Sequence, residues 1–189
     1  MVLIDMWDFH PCPCALARFR TIATAINDTI TSAREQGILI IHAPSDVVGN
    51  FDGKPATPKY MNHPAREWVT KLPKVPIPSV LIPQNKPADP IGVEHNCDCA
   101  QLSTSRTWES ETNLISIHPN DALIDGNDGE SLYNIVQARR INTLVYAGVA
   151  TNMCVMNRRT ATIAAKGWGL DVLLARELTD TMYNPEDPP

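Results

Sequence analysis

The sequence predicts an α/β protein: three layers, with a mostly parallel, doubly wound, Rossmann-like sheet and helices on both faces. Three observations carry this. Short continuous apolar runs recur along the chain, as in strands buried on both faces. Segments with helical spacing fill the intervals between them, and alternating strands and helices imply parallel pairing with crossover helices. The chain has 189 residues and a hydrophobic share of 43%, which suits one domain with a sizeable core, here taken as residues 1–189.

Each element has its own signal. Residues 2–5 (VLID) read as the first strand. Leu16, Phe19, Ile22, Ile26 and Ile30 recur at helical spacing, predicting a helix over 16–36, with Gly37 in the left-handed position that ends it. Residues 38–43 (ILIIHA) are the second strand. The stretch 44–112 is rich in Pro, Asn and Asp, including the pairs Thr57-Pro58, His63-Pro64 and Leu72-Pro73. It is expected to be a long irregular loop with only short regular pieces, of the kind that forms a lid or binding loop. Residues 113–118 (NLISIH) are the third strand candidate, followed by the turn-bounded DALIDG. A helix is expected over 129–140, with basic residues in its last turn. Residues 143–148 form the fourth strand, 152–166 a helix stopped by Gly167, and 170–175 the fifth strand.

Composition narrows the function. The formal net charge is -5 and no basic cluster is present, which argues against nucleic acid or an anionic membrane as partner. No apolar run is long enough to cross a bilayer, and no signal-peptide pattern precedes Val2. The expectation is a cytoplasmic protein acting on a small molecule. The first strand has almost no lead-in and the chain stops at EDPP, which we read as trimmed ends.

In open parallel sheets, ligands bind at the carboxyl ends of the strands. Asp5, His42 and His118 end the first three predicted strands, and Cys154 follows the fourth by one turn. A carboxylate ending a buried strand needs a partner or a task; the plainer reading of Asp5 is a cap or turn. Cys154 opens a predicted helix, where free N–H groups and the dipole favour a thiolate. Its plainer reading is a small buried hydrophobe.

Two stretches, VLIDMWDF at the start and GVATNMCV at 148–155, resemble the isochorismatase-like cysteine hydrolases, the superfamily of nicotinamidases and N-carbamoyl amidohydrolases. LARELTDTMYNP at 174–185 resembles the segment after the next strand of that family. The resemblance implies a hydrolase of a small amide or related C–N compound, or an ester or vinyl ether, working through a thioester-type intermediate on Cys154. It implies Asp5 as the base, a lysine after the third strand, and a cis peptide at Val149-Ala150. Backbone donors at Ala150 and Cys154 would form the oxyanion hole. It also implies a homo-oligomer.

This sequence departs from the family in several places. Aligning 113–123 with the family's third strand puts His118 at the lysine position, and no lysine lies between 87 and 165. A histidine substitutes only while protonated. Trp7 and His10 stand where relatives carry Gln and Phe, so both are expected in the substrate pocket. The Asp-x-His metal pattern of nicotinamidases is absent after IIHAPSD, and the closing helix is missing. No cofactor is expected. One motif lies outside the family core: HPCPC (10–14) and HNCDC (95–99) repeat His-x-Cys-x-Cys. Cys12, Cys14, Cys97 and Cys99 suggest loop-pinning disulfides or no bond, with zinc as the alternative. Two functions follow: a cysteine hydrolase, or a catalytically silent or redirected small-molecule binder, the second favoured only by the missing lysine.

Overall fold

The structure is a computed structural model, and its described residues are 1–49, 55–82 and 107–182. Five parallel strands form one sheet: β1 (Val2–Ile4), β2 (Ile41–Ala43), β3 (Ala122–Leu123), β4 (Thr143–Val149) and β5 (Asp171–Asp180). Their order is β3-β2-β1-β4-β5. The chain therefore reverses direction across the sheet beside β1, at the switch point where such sheets open a crevice.

Among the described residues five helices accompany the strands: α1 (Pro13–Glu35), α2 (Pro64–Thr70), α3 (Gly129–Arg139), α4 (Cys154–Asn157) and α5 (Thr162–Gly167). None among the described residues is long and apolar enough to cross a membrane. Alternate side chains of a strand face opposite ways, and the two cores follow this rule. Leu3 packs with α1 through Ala15, Phe19, Ala23, Ile26 and Ile30. Val2 and Ile4 pack on the other face with Leu132, Ile135 and Val136 of α3 and Ala165 of α5. The predicted three layers are what forms. Small residues bring α1 close to the sheet, since Ala15 and Ala23 are fully buried while Leu16 and Ile22 are only partly so.

Most elements lie where the pattern puts them. Gly37 takes the left-handed conformation, φ +78°, after the last turn of α1. Within 44–112 the described residues contain one short helix, α2, opened by His63 and Pro64. Two expectations fail. Residues 113–118 are not a strand: the Ser116 N–H donates to Asn27 Oδ1 of α1 at 2.9 Å, and the Ile115 N–H closes a turn on Thr112 at 3.2 Å. The strand is instead Ala122–Leu123 within DALIDG, where the Ala122 and Ile124 N–H groups donate to Ile40 and His42 across β2. The single helix over 152–166 is two helices, α4 and α5, separated at 158–161 by a turn in which the Ala161 N–H donates to the Arg158 carbonyl at 3.0 Å.

Candidate active site

Asp5 follows β1 directly and is fully buried. Its φ of +49° is left-handed, a conformation a non-glycine residue seldom adopts and one that gathers at functional sites. The turn aims its carboxylate across the sheet ends. Oδ1 accepts the Ser45 N–H at 2.7 Å, and Oδ2 lies 3.2 Å from Nε of Arg158. The Cys154 thiol donates to the same carboxylate. Two glycines permit this approach. A Cβ on Gly126 would collide with the Ser45 hydroxyl and the Ala43 carbonyl and press on Asp5, and one on Gly148 would collide with the backbone of Ile4.

Cys154 is the first residue of α4, and the bond between Val149 and Ala150 is cis. The Ala150 carbonyl accepts N–H groups from Met153 (3.0 Å) and Val155 (3.1 Å), which winds the 150–155 loop. The Ala150 N–H is directed at the cysteine sulfur. Cys154 opens a helix, a position whose N–H has no intrahelical partner. Asn152 clamps the loop to the chain after β5: its side chain donates to the Met182 carbonyl at 2.6 Å and accepts the Met182 N–H at 3.3 Å.

Burial pushes the Cys154 thiol well above its usual range, and the Asp5 charge adds to this; Arg158 and the Ala150 N–H oppose it without cancelling it. The expected resting thiolate is therefore corrected to a thiol. A helix of four residues offers little dipole against the desolvation of a half-buried sulfur beside a buried carboxylate. Burial likewise raises the Asp5 carboxyl, with Arg158, Cys154 and Ser45 acting against it. The two groups titrate as a pair.

The cation beside this pair is Arg158, four residues after Cys154. Its Nη1 also donates to Asn127 Oδ1 at 3.2 Å. His118 does not supply the charge, and its assignment to the lysine position is corrected. Its side chain is exposed and lines a cavity of about 1080 Å³ with Met1, Leu39 and Thr143, at the amino end of the sheet. The misplacement follows from the third strand. With β3 at Ala122–Leu123, the residue at its carboxyl end is Asp125, which accepts N–H groups from Asp46 and Asn127 and senses the Asp5 charge. Arg158 was missed because the reading looked for a cation after a strand. The only available signal was Arg four residues past Cys154, which a continuous helix would have placed one turn away on the same side.

Trp7 and His10 are each more than nine-tenths buried. Trp7 stacks on Trp108 with ring centroids 4.1 Å apart, and both indole N–H groups donate to the Ser45 carbonyl, at 3.3 and 3.2 Å. His10 lies parallel to this stack and accepts the Cys12 N–H on Nδ1 at 3.0 Å. The two residues thus build the wall behind Ser45. Trp108, unread in the sequence, completes it.

Cys12 caps α1, its sulfur accepting the Ala15 N–H at 3.4 Å, and Cys14 is in a disulfide. Cys14 is therefore no thiolate ligand, which removes it from the zinc alternative; Cys97 and Cys99 lie outside the described residues. Among the described residues no three His, Cys, Asp or Glu side chains converge to hold a metal. The residue two after Asp46 is Val48, where the Asp-x-His pattern needs histidine.

No protein-family model matches the chain, and no curated protein matches it. Among solved structures it is similar to the pyrazinamidase of Pyrococcus horikoshii, determined in complex with zinc. The identity is 21%, the TM-score 0.55, and the match covers 98% of this chain and 87% of that one. The likeness is one of fold: the chain carries a five-stranded parallel α/β sheet like that of the pyrazinamidase.

Proposed function

We propose that the protein is a cysteine-dependent hydrolase of a small amide or related C–N compound. The observation that carries this reading is the buried Asp5 carboxylate, hydrogen-bonded to the Cys154 thiol and ion-paired with Arg158 at the carboxyl end of β1. The pyrazinamidase of like fold adds support for amide chemistry. Arg158 supplies the cation whose absence favoured a silent binder, so the hydrolase is the better reading.

In this proposal Asp5 takes the thiol proton as sulfur attacks the substrate carbonyl. The Ala150 and Cys154 N–H groups face the developing oxyanion. The tetrahedral adduct expels the amine, which leaves with the proton held by Asp5. Water then loses a proton to Asp5 as it attacks the thioester, and the thiolate leaves and recovers that proton. Arg158 keeps its charge beside the pair throughout, so proton transfer from sulfur to carboxylate occurs against a fixed cation. The steps proposed here are carried by Asp5, Cys154 and Arg158, and none is routed through a metal. The substrate is a small molecule, with neither nucleic acid nor membrane as partner; a homo-oligomer rests on the resemblance. The Cys14 disulfide favours an oxidising compartment over the cytoplasm expected from the sequence.

The test is a panel of small amides, including aromatic carboxamides, with rapid acid quench and intact mass measurement. An acyl adduct should appear on the parent and be absent from Cys154→Ala, which should fold normally and lose turnover. Undiminished turnover by Cys154→Ala would make the cysteine structural.

A further inference from the structure

The proposed chemistry leaves unused a closed set of ionisable side chains around β2. His42 Nδ1 lies 2.9 Å from Glu111 Oε2, and Nε2 lies 3.2 Å from Asp121 Oδ2. Arg34 of α1 grips the same Asp121 through Nε at 3.0 Å and Nη2 at 2.7 Å. His42, Glu111 and Asp121 are all buried. Within this set two carboxylates and one guanidinium leave one negative charge, which an imidazolium balances. The Met1 ammonium, which donates to the Leu39 carbonyl at 2.6 Å, acts on Asp121 from the start of β1, and burial lowers it to about 6. Tyr60 Oη accepts the Glu111 N–H at 2.7 Å, and Lys59 Nζ lies 3.4 Å from the Glu111 carbonyl. His63, at the start of α2, is held low by burial and by the His42 charge, and Asp8 acts on Tyr60. Burial alone would lower His42; Glu111 and Asp121 outweigh it and push it up to about 9.

Glu111 also belongs to the segment that pairs with the residues after Asp5. It forms an antiparallel bridge with Trp7, flanked by Thr112 N–H to Met6 at 2.8 Å and Asp8 N–H to Ser110 at 2.8 Å. Trp108, three residues earlier, stacks on Trp7, and both indoles bond the carbonyl of Ser45, whose N–H holds Asp5. We propose that protonated His42 is a positioning residue: by holding Glu111 it fixes residues 108–112 against residues 6–8, and so sets Ser45 and Asp5 for proton exchange with Cys154. Only the last link rests on the proposed hydrolase. Loss of the imidazole proton leaves Glu111 buried without a counter-charge, and the segment and the tryptophan stack loosen together.

The experiment follows tryptophan emission and amide turnover of the full chain from neutral pH to about 10. Three proteins are compared: parent, Glu111→Gln, and the double variant H42Q/E111Q, which removes one charge of each sign and leaves Arg34–Asp121 paired. In the parent, emission and kcat should change together with a midpoint near 9, with KM moving less. Glu111→Gln should move the midpoint to lower pH, because the strongest support of the imidazolium is gone. The double variant should show parent-like emission at neutral pH and no step. Parent emission that stays flat to about pH 10 overturns the proposal, as does an unchanged step in the double variant; if that variant does not fold, the parent's emission decides. A parent that shows the emission step but hydrolyses no amide sinks the hydrolase reading and leaves the control of the segment by His42 standing.

Discussion

Two buried charge clusters flank the strand ends of this sheet, and they are settled in opposite ways. Around His42, neighbours win over burial: the imidazole is held charged, and Asp121, despite burial, is held well below the usual carboxylate range by His42 and Arg34. Around Asp5, burial wins over neighbours: Asp5, Asp125 and Cys154 are all pushed toward their neutral forms although Arg158 stands beside Asp5 and Cys154. The first cluster matches donors to acceptors and contributes to stability. The second keeps protons poised inside a closed pair, which costs stability and suits chemistry.

Asp5→Asn should break the comparison most visibly. Turnover should fall by roughly 100-fold or more, since the proton acceptor is gone. The sign of the stability effect differs. A carboxyl whose folded value is raised loses stability as pH rises above its unfolded value of about 4, so the carboxylate is a burden at neutral pH. Denaturant unfolding at pH 7 should therefore show no loss beyond about 1 kcal/mol. A large loss with retained activity would make Asp5 the cap or turn residue of the plainer reading.

Arg158→Met comes next. It removes the charge that lowers Asp5, so the acid limb of kcat/KM should move to higher pH and the rate should fall by about 10- to 100-fold. Arg158→Lys should restore part of both. Normal pH limbs in the Met variant would show that the guanidinium is a surface partner of Asn127 only.

The His42 cluster should answer in stability. A histidine raised from 6.5 to about 9 stabilises fully below its unfolded value, and this contribution fades as pH rises through 9. The amount is on the order of 3 kcal/mol. Parent unfolding free energy should drop by that order between pH 7 and about 10, and the drop should be absent from H42Q/E111Q. An equal drop in both proteins would place the alkaline loss elsewhere.

The clusters also differ in how far the sequence reveals them. Asp5 and Cys154 were legible because each ends or follows a strand with a clean apolar pattern and lies in a quotable motif. Arg158 was not, because the break between α4 and α5 that turns it toward Asp5 is made by tertiary contacts: the Thr160 hydroxyl donates to Gly126 at 2.6 Å, and Tyr146 Oη donates to the Thr160 carbonyl at 2.9 Å. The partners of His42 were hidden for a different reason. Glu111 and Asp121 lie 69 and 79 residues away, and Asp121 precedes a strand that the apolar run NLISIH drew to the wrong place. The backbone donors of that run go to Thr112, to Asn27 of α1 and to Asp121 rather than to a neighbouring strand, and no local pattern announces those partners.

The smallest expected effect belongs to His118, and it separates the ends of the sheet. Its backbone N–H donates to Asp121 Oδ2 at 2.7 Å, while its ring is exposed beside Pro119 and Asn120. The cavity it lines also holds Lys71 and Arg139, the latter 4.8 Å over the ring of Trp68. An exposed imidazole among cations has no lever on a sulfur at the carboxyl ends of the strands, where Arg158 already supplies the charge. Replacement by alanine keeps the N–H that serves Asp121. His118→Ala should therefore leave turnover within about twofold and stability within about 0.5 kcal/mol of the parent. Thiol labelling of Cys154 across pH should be superimposable on the parent curve. A shift of that curve in His118→Ala would put the histidine back beside the thiol and remove Arg158 from the role assigned to it.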